Sequence, residues 1–317
     1  MKITEHIKNS DRPRISFEIL PPTKGSSIKE IFDTLGPLME FKPPYINITY
    51  HQPEVIYKNR QDGLLEKKVV RKRPGTVAIS SAIMYRYKVD VVPHLICGGF
   101  SRDETEDALI DLNYHGIHNI LVVRGDADHY SGRFNPHQGG HEHAIDLLKQ
   151  VMDMNRGKYL DEELKNATPT CFSAGVAGYP EKHAEAPNMD TDLRYLKAKV
   201  DAGADYIVTQ MFFDNSKFFE FEKRCREIGI EVPIIPGLKP LSIKKHLNLL
   251  PQTFNVDLPH ELTSEVEKCS NNESVREVGI EWAIHQSREL LGAGVPVIHF
   301  FTMGRSDNIL KIARNIF

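Results

Sequence analysis

The sequence predicts an α/β fold, a (β/α)8 TIM barrel with extra helices before the last strand, built by residues 1–317 as one domain. Three observations predict it. Eight β-rich runs alternate with helical patterns from end to end. The runs mostly lack clean apolar–polar alternation, as parallel strands covered on both faces do. Unusual polar residues collect at the C-terminal ends of the runs, where such barrels carry their sites.

The runs are "RISFEIL" (14–20), "YINITY" (45–50), "VVPHLIC" (91–97), "NILVVRG" (119–125), "TCFSAGVAG" (170–178), "YIVTQMFF" (206–213), "VPIIPGL" (232–238) and "PVIHFFTM" (296–303). They are rich in Val, Ile, Phe, Tyr and Thr, the strand-favouring types. Between them, "SSIKEIFDTLGPLMEF" places Ile28, Ile31, Phe32, Leu35 and Leu38 at helical spacing. "SRDETEDALIDLNYHG" has Ser101 as N-cap, acids in its first turn and Gly116 as its stop. "DTDLRYLKAKVDAGA" and "DNSKFFEFEKRCREIG" repeat the plan, and 231–300 holds the extra helices. The Gly/Pro/His-rich loops at 126–142 and 179–191 each follow a strand, so both belong to the C-terminal face.

Composition narrows the class. The chain is 40% hydrophobic and 26% charged with net charge −3, the profile of a soluble globular protein. No charge bias suggests a nucleic-acid or membrane partner. No apolar run reaches the ~18 residues of a membrane span, and "MKITEHIKNSDRPR" is too polar for a signal peptide. Cys97, Cys171, Cys225 and Cys269 are scattered, as reduced thiols in a cytoplasmic protein are. "HQGGHEHA" (His137, His141, His143) lacks a metal-ligand spacing, so no metal is expected. "KKVVRKR" (67–73) reads as a solvated face or subunit contact.

The strand ends converge on one polar mouth. They contribute Glu18, then Thr49, Tyr50 and His51, then His94, then Arg124, Gly125 and Asp126. Tyr179 and His183, Gln210, Lys239, His299, Thr302 and Arg305 complete it. Such a mouth suits a large ligand with several hydrogen-bonding parts. Glu18 stands among apolar residues just before Pro21-Pro22, which end the strand. Two readings are open. Either an Arg or Lys pairs with it across the mouth, or desolvation raises its pKa and keeps it protonated as a general acid.

These residues resemble the motifs of the methylenetetrahydrofolate reductases across nearly the whole chain. "FEILPP", "NITY", "PHLIC", "VVRGD", "AGYPEKHAEAP", "KVDAGADYIVTQMFFD", "PIIPGLKPLS" and "HFFTMGR" match the family's blocks in order. The resemblance implies a single catalytic barrel domain that binds FAD. It implies reduction of 5,10-methylenetetrahydrofolate to 5-methyltetrahydrofolate with NADH or NADPH, supplying methyl groups for methionine synthesis. The two half-reactions would share the flavin in turn, with hydride leaving flavin N5. Glu18 is the position matching the acid that protonates a folate ring nitrogen and opens the cyclic aminal to an iminium ion. Asp126 matches the acid near flavin and pterin, with a helix N-cap as its plain alternative. Gln210, Arg305 and Thr49 match folate contacts. Thr49, His94, Arg124, Gly125, Asp126, Ala177, Tyr179, His183, Asp192 and Lys199 match flavin contacts. Arg124 and Lys199 suit a pyrophosphate, and the absence of GxGxxG puts FAD on the barrel top rather than in a Rossmann unit.

The chain departs from the common bacterial pattern at His51, Tyr195 and Ala198, where Gly, Asn and Arg are usual; Arg194 or Lys197 would compensate at the pyrophosphate. It ends soon after the last strand, which implies no C-terminal regulatory domain and no control by S-adenosylmethionine. A homo-oligomer is implied, and no motif chooses between NADH and NADPH. Two rival readings remain: a Schiff-base lyase using Lys239, and a non-catalytic flavin- or folate-binding module.

Overall fold

The computed structural model describes residues 1–126, 134–304 and 306–317. Its strands are β1 (Arg14–Ile19), β2 (Tyr45–Ile48), β3 (Glu54–Asn59), β4 (Leu65–Val70), β5 (Asp90–Ile96), β6 (Asn119–Val123), β7 (Ser173–Gly178), β8 (Tyr206–Met211), β9 (Ile234–Leu238) and β10 (Val297–Phe301). Eight of them close a parallel barrel in the order β1-β2-β5-β6-β7-β8-β9-β10, with β10 returning to β1. Each of the eight predicted runs supplies one barrel strand.

The helices are α1 (Ile3–Lys8), α2 (Lys29–Leu38), α3 (Thr76–Tyr87), α4 (Arg102–Tyr114), α5 (Ala144–Met154), α6 (Met189–Asp201), α7 (Asn215–Glu227), α8 (His246–Phe254), α9 (His260–Lys268), α10 (Asn272–Gly292) and α11 (Asp307–Ile316). Ser101 caps α4 through a capping box: its Oγ accepts from Glu104 N at 3.1 Å, and Glu104 Oε2 accepts from Ser101 N at 2.8 Å. The extra helices before the last strand are α8, α9 and α10. They close over a cluster of their own containing Met211, Leu250, Leu262, Val266 and Val275. Gly279 of α10 is required there, because a Cβ would lie 2.1 Å from Leu241 O.

Alternation along the strands sorts side chains into two cores. Ile15, Phe17, Ile46, Ile48, Leu95, Ile120, Val122, Val176, Ile207, Leu238, Ile298 and Phe300 join the layer between barrel and helices. The intervening positions face inward. At the bottom Tyr45, Val92, Leu121, Tyr206, Val208, Ile235 and Val297 plug the barrel, and Ile3 of α1 covers them. Tyr206 fits because Gly175 carries no side chain: a Cβ there would lie 2.2 Å from the ring. Its hydroxyl donates to Ile120 O at 2.9 Å. Higher up, the inward positions turn polar, and this change in composition makes the mouth.

One element was not expected. β3 and β4 form an antiparallel ribbon between β2 and α3, with Asp62-Gly63 at its turn and Gly63 at φ +80°. The basic run 67–73 forms most of β4 and its exit, and Lys67, Lys68 and Lys72 are exposed.

Candidate active site

Glu18 is fixed from both sides. It pairs with Asn47 of β2 and with Phe301 of β10. Its carbonyl accepts from Thr302 Oγ1 at 2.6 Å and from Thr302 N at 3.2 Å. One residue on, Ile19 O accepts from Thr49 N at 3.1 Å and from Thr49 Oγ1 at 3.3 Å. The Glu18 side chain is 14% exposed, with His94 Nε2 at 3.7 Å and His299 Nε2 at 3.9 Å from Oε2. Both imidazoles are anchored. His299 Nδ1 lies 2.9 Å from Ser16 Oγ, and His94 Nε2 lies 3.3 Å from Asn47 Oδ1.

This geometry corrects the expectation that Glu18 is held protonated. Burial does raise its pKa, as expected. The His299 contact and the charges of His94, His299 and His51 outweigh burial, and the carboxyl sits below its ordinary value. Among the described residues no Arg or Lys lies within 4.0 Å of its carboxyl; two histidines do. His94 is itself pushed down to about 4, first by burial, against the pull of Glu18. Lys239 follows directly after β9, is 9% exposed, and is lowered to about 8 by burial while the Glu18 charge opposes the shift.

At the ends of β6 and β7, against α5 and α6, lies a cavity of about 410 Å³. Arg124, Ala177, Tyr179, His183, Asp192 and Lys199 line it, six of the predicted flavin contacts. Lys199 donates to Ala177 O at 2.9 Å, and burial lowers it to about 8 against the pull of Asp192. Asp192 Oδ2 accepts from His183 N at 2.9 Å, and the Tyr179 and His183 rings meet edge to face at 4.7 Å between centroids. Arg124 makes a two-pronged ion pair with Glu185, at 2.5 and 2.8 Å, and stacks over Phe134. Two cations, aromatic faces and a carboxylate around one cavity are the donor set a dinucleotide flavin requires, so these residues fit that group.

The other predicted positions are placed as follows. Thr49 is half-buried beside Glu18, and Gln210 is half-buried at the β8 irregularity, its Oε1 accepting from Met211 N at 2.9 Å. Gly125 takes φ +100°, which a glycine favours, and Asp126 beyond it is exposed, its carbonyl accepting from Gln52 Nε2 at 3.3 Å. His51 is exposed and feels the charges of both Asp126 and Glu18. Arg305 lies outside the described residues. Tyr195 and Ala198 line the cavity, whereas Arg194, which bonds Thr191 Oγ1 at 3.0 Å, and Lys197, which pairs with Asp201, are not among its lining residues. His141 Nε2 lies 2.5 Å from Gln150 Oε1 and His137 Nδ1 2.9 Å from Gln138 O. Among the described residues no group of three His, Cys, Asp or Glu is placed to hold a metal ion. None of their helices is long and apolar enough to cross a membrane.

Sequence reasoning missed Ser16, Asn47 and Glu185. The first two were visible as polar residues two steps from predicted mouth positions on their strands. Glu185 lies within the quoted "AGYPEKHAEAP" block, but its pairing with Arg124, 61 residues away, left no local pattern.

Comparison with known proteins decides the family. The methylenetetrahydrofolate reductase family model matches residues 2–316. The chain belongs to the methylenetetrahydrofolate reductase family. It is 31% identical to methylenetetrahydrofolate reductase (NADH) 1 of Arabidopsis thaliana over 100% of this chain and 51% of that protein. It is 30% identical to 5,10-methylenetetrahydrofolate reductase of Salmonella typhimurium, over 95% of this chain and 90% of the relative. The chain thus spans about half the length of the plant reductases it matches. A Clostridium thermocellum protein solved with two copies of 5-methyl-5,6,7,8-tetrahydrofolic acid shares the fold, with TM-score 0.53 and 14% identity over 98% of this chain and 97% of that one.

Proposed function

We propose that this family member reduces 5,10-methylenetetrahydrofolate to 5-methyltetrahydrofolate with NADH or NADPH, through bound FAD. The observation that carries the reading is the pairing, on one barrel mouth, of a carboxyl between two imidazoles with a cation-bearing cavity that fits a dinucleotide. Arg124 and Lys199 neutralise the pyrophosphate, and Tyr179, His183 and Asp192 meet the ribityl, ribose or adenine edges. Thr49, His94, Gly125 and Ala177 border the ring. When bound, the flavin supplies the hydride that it has taken from the nicotinamide.

The chain's part in the folate step is proton placement. The substrate aminal resists hydride until one ring nitrogen is protonated and the ring opens to an iminium ion. Glu18 delivers that proton. Asp126 stabilises the cation through space, Gln210 offers its amide to the pterin edge, and Arg305 meets the glutamyl carboxylates. The same reading puts the enzyme in the cytoplasm as a homo-oligomer, supplying methyl groups for methionine synthesis.

Anaerobic half-reactions test it. NADH or NADPH is expected to bleach the flavin bands, and methylenetetrahydrofolate to restore them. In Glu18→Gln, bleaching is expected within about twofold of wild type while restoration slows by roughly 10²–10⁴-fold, the usual worth of a positioned acid. Restoration at the wild-type rate would refute the role of Glu18. One observation favours a second reading: a buried Lys239 lowered to about 8 is also suited to Schiff-base chemistry. Borohydride trapping of a carbonyl substrate on Lys239, in a protein without flavin bands, would select that reading.

A further inference from the structure

We propose that the N-terminal face of the barrel carries a second ligand site, a cationic cleft that binds a small phosphorylated molecule through its diphosphate or triphosphate group. The cleft lies at the opposite end of the strands from the mouth. Three consecutive barrel strands, β1, β2 and β5, begin around it. Arg14 opens β1, Lys42 stands just before β2, Arg86 lies in the last turn of α3, and Lys88 caps that helix ahead of β5. All four line one cleft of about 690 Å³, together with Met1, His6 and Asp90. That is room for a small-molecule ligand, whose sites run to about 300–1,000 Å³.

The charge in this cleft is unopposed. Among the described residues none of Arg14, Lys42, Arg86 and Lys88 has a carboxylate within 4.0 Å. The carboxylate that lines the cleft is Asp90, and it is already engaged: the Met1 ammonium lies 3.1 Å away and His6 Nε2 2.6 Å away. The chain as a whole has net charge −3, so the gathering of cations is local. Pro43, Tyr87 and Val89 add apolar wall. A concavity lined by one sign of charge and walled by low-dielectric groups focuses the field on a counter-ion.

The two guanidiniums are also held ready. Arg14 Nε donates to Ser10 Oγ at 2.9 Å, and that hydroxyl donates to Arg12 O at 2.6 Å. The Arg86 guanidinium carbon lies 4.4 Å from the Phe32 ring centroid and 5.7 Å from that of Tyr87, whose hydroxyl donates to Phe32 O at 3.1 Å. Stacking fixes the plane of Arg86 and leaves its N–H edge for an acceptor. Such planar forks match phosphate oxygens two at a time. Lys42 and Lys88 take φ 49° and 52° at helix ends, positions where glycine is usual. The Lys88 ammonium rests 4.4 Å over the Tyr85 ring, which leaves its charge unneutralised. A diphosphate or triphosphate ester carries roughly three to four negative charges at pH 7, which four cations balance. The cations surround one concavity rather than forming a stripe, which favours a small molecule over a polymer.

Calorimetric titration of the purified protein with sodium triphosphate tests the site. One site per chain is expected, with Kd below about 1 mM at low salt and weaker binding as salt rises. Lys42→Asn with Lys88→Asn removes two exposed cations and keeps a residue that tolerates the left-handed backbone. Arg14→Gln with Arg86→Gln removes the two forks. Each pair is expected to weaken binding by roughly tenfold or more. Lysine acetylation read by mass spectrometry locates the ligand: triphosphate is expected to protect Lys42 and Lys88 and to leave the exposed Lys67 and Lys68 of β4 unchanged. A wild type that does not bind triphosphate would overturn the proposal, as would equal binding by both double variants. So would protection of Lys67 and Lys68 in place of Lys42 and Lys88. Citrate binding as tightly as triphosphate would reduce the cleft to unspecific anion attraction. Binding abolished by prior saturation with FAD and NADH would move it to the mouth. A single-stranded DNA oligonucleotide that binds more tightly than triphosphate would replace the small molecule with a polymer. A change of oligomeric state in the double variants, without triphosphate binding by wild type, would make the cleft a subunit contact instead.

Discussion

Stability should fall steeply between pH 6.5 and 4, because two buried histidines are held neutral. His94 and His246 are 6% and 8% exposed, and burial lowers each from 6.5 to about 4. Below pH 6.5 the unfolded chain takes up a proton at each position, while the folded chain does not until about pH 4. The unfolded state therefore binds more protons throughout this window, and stability declines as pH falls. Linkage gives about 2 kcal/mol lost per histidine at pH 5 and about 3 by pH 4. Together these approach the whole stability of many domains, roughly 5–15 kcal/mol. Urea midpoints at pH 7, 6, 5 and 4.5 measure the decline. His246→Asn keeps an acceptor for Ser242 N–H and removes one titration, so it should show about half the wild-type drop. Histidine ring NMR resonances that titrate near 6.5 at both positions, or a midpoint flat from pH 7 to 5, would refute the reasoning.

Gly175→Ala should cost roughly 2–4 kcal/mol, since its Cβ would displace the Tyr206 ring and strain or break that residue's bond to Ile120 O. A urea midpoint within error of wild type would contradict the inward packing of Tyr206. Glu185→Gln should tighten FAD binding several-fold at low salt by releasing Arg124 from a half-exposed pair worth about 1 kcal/mol, and Arg124→Leu should weaken it at least tenfold. Flavin fluorescence quenching reads both, and equal affinities in all three proteins would remove Arg124 from the cofactor site.

The barrel was legible because its strands are covered on both faces, so each reads as an apolar run such as "NILVVRG" or "VPIIPGL". The β3–β4 ribbon was not, because its residues are largely exposed and its charged strand "LEKKVV" resembles a solvated loop. Only Asp62-Gly63 between two alternating stretches marked it. For the site, position was legible and protonation was not. The two prolines located Glu18 at the strand end. Its ionisation depends on His51, His94 and His299, which arrive from separate strands and whose proximity no local pattern encodes. Desolvation alone points one way, and the assembled neighbours point the other.

The mouth holds two lysines lowered to about 8, and their surroundings differ. Lys199 is tethered: its ammonium donates to Ala177 O at 2.9 Å and feels Asp192. That bond fixes the ammonium in place, which suits holding an anion. Lys239 has no such acceptor among the described residues, and the carboxylate whose charge it feels is Glu18. Burial lowers both lysines, but only Lys199 donates a hydrogen bond to a backbone carbonyl. That difference follows from the partners rather than from the residue type.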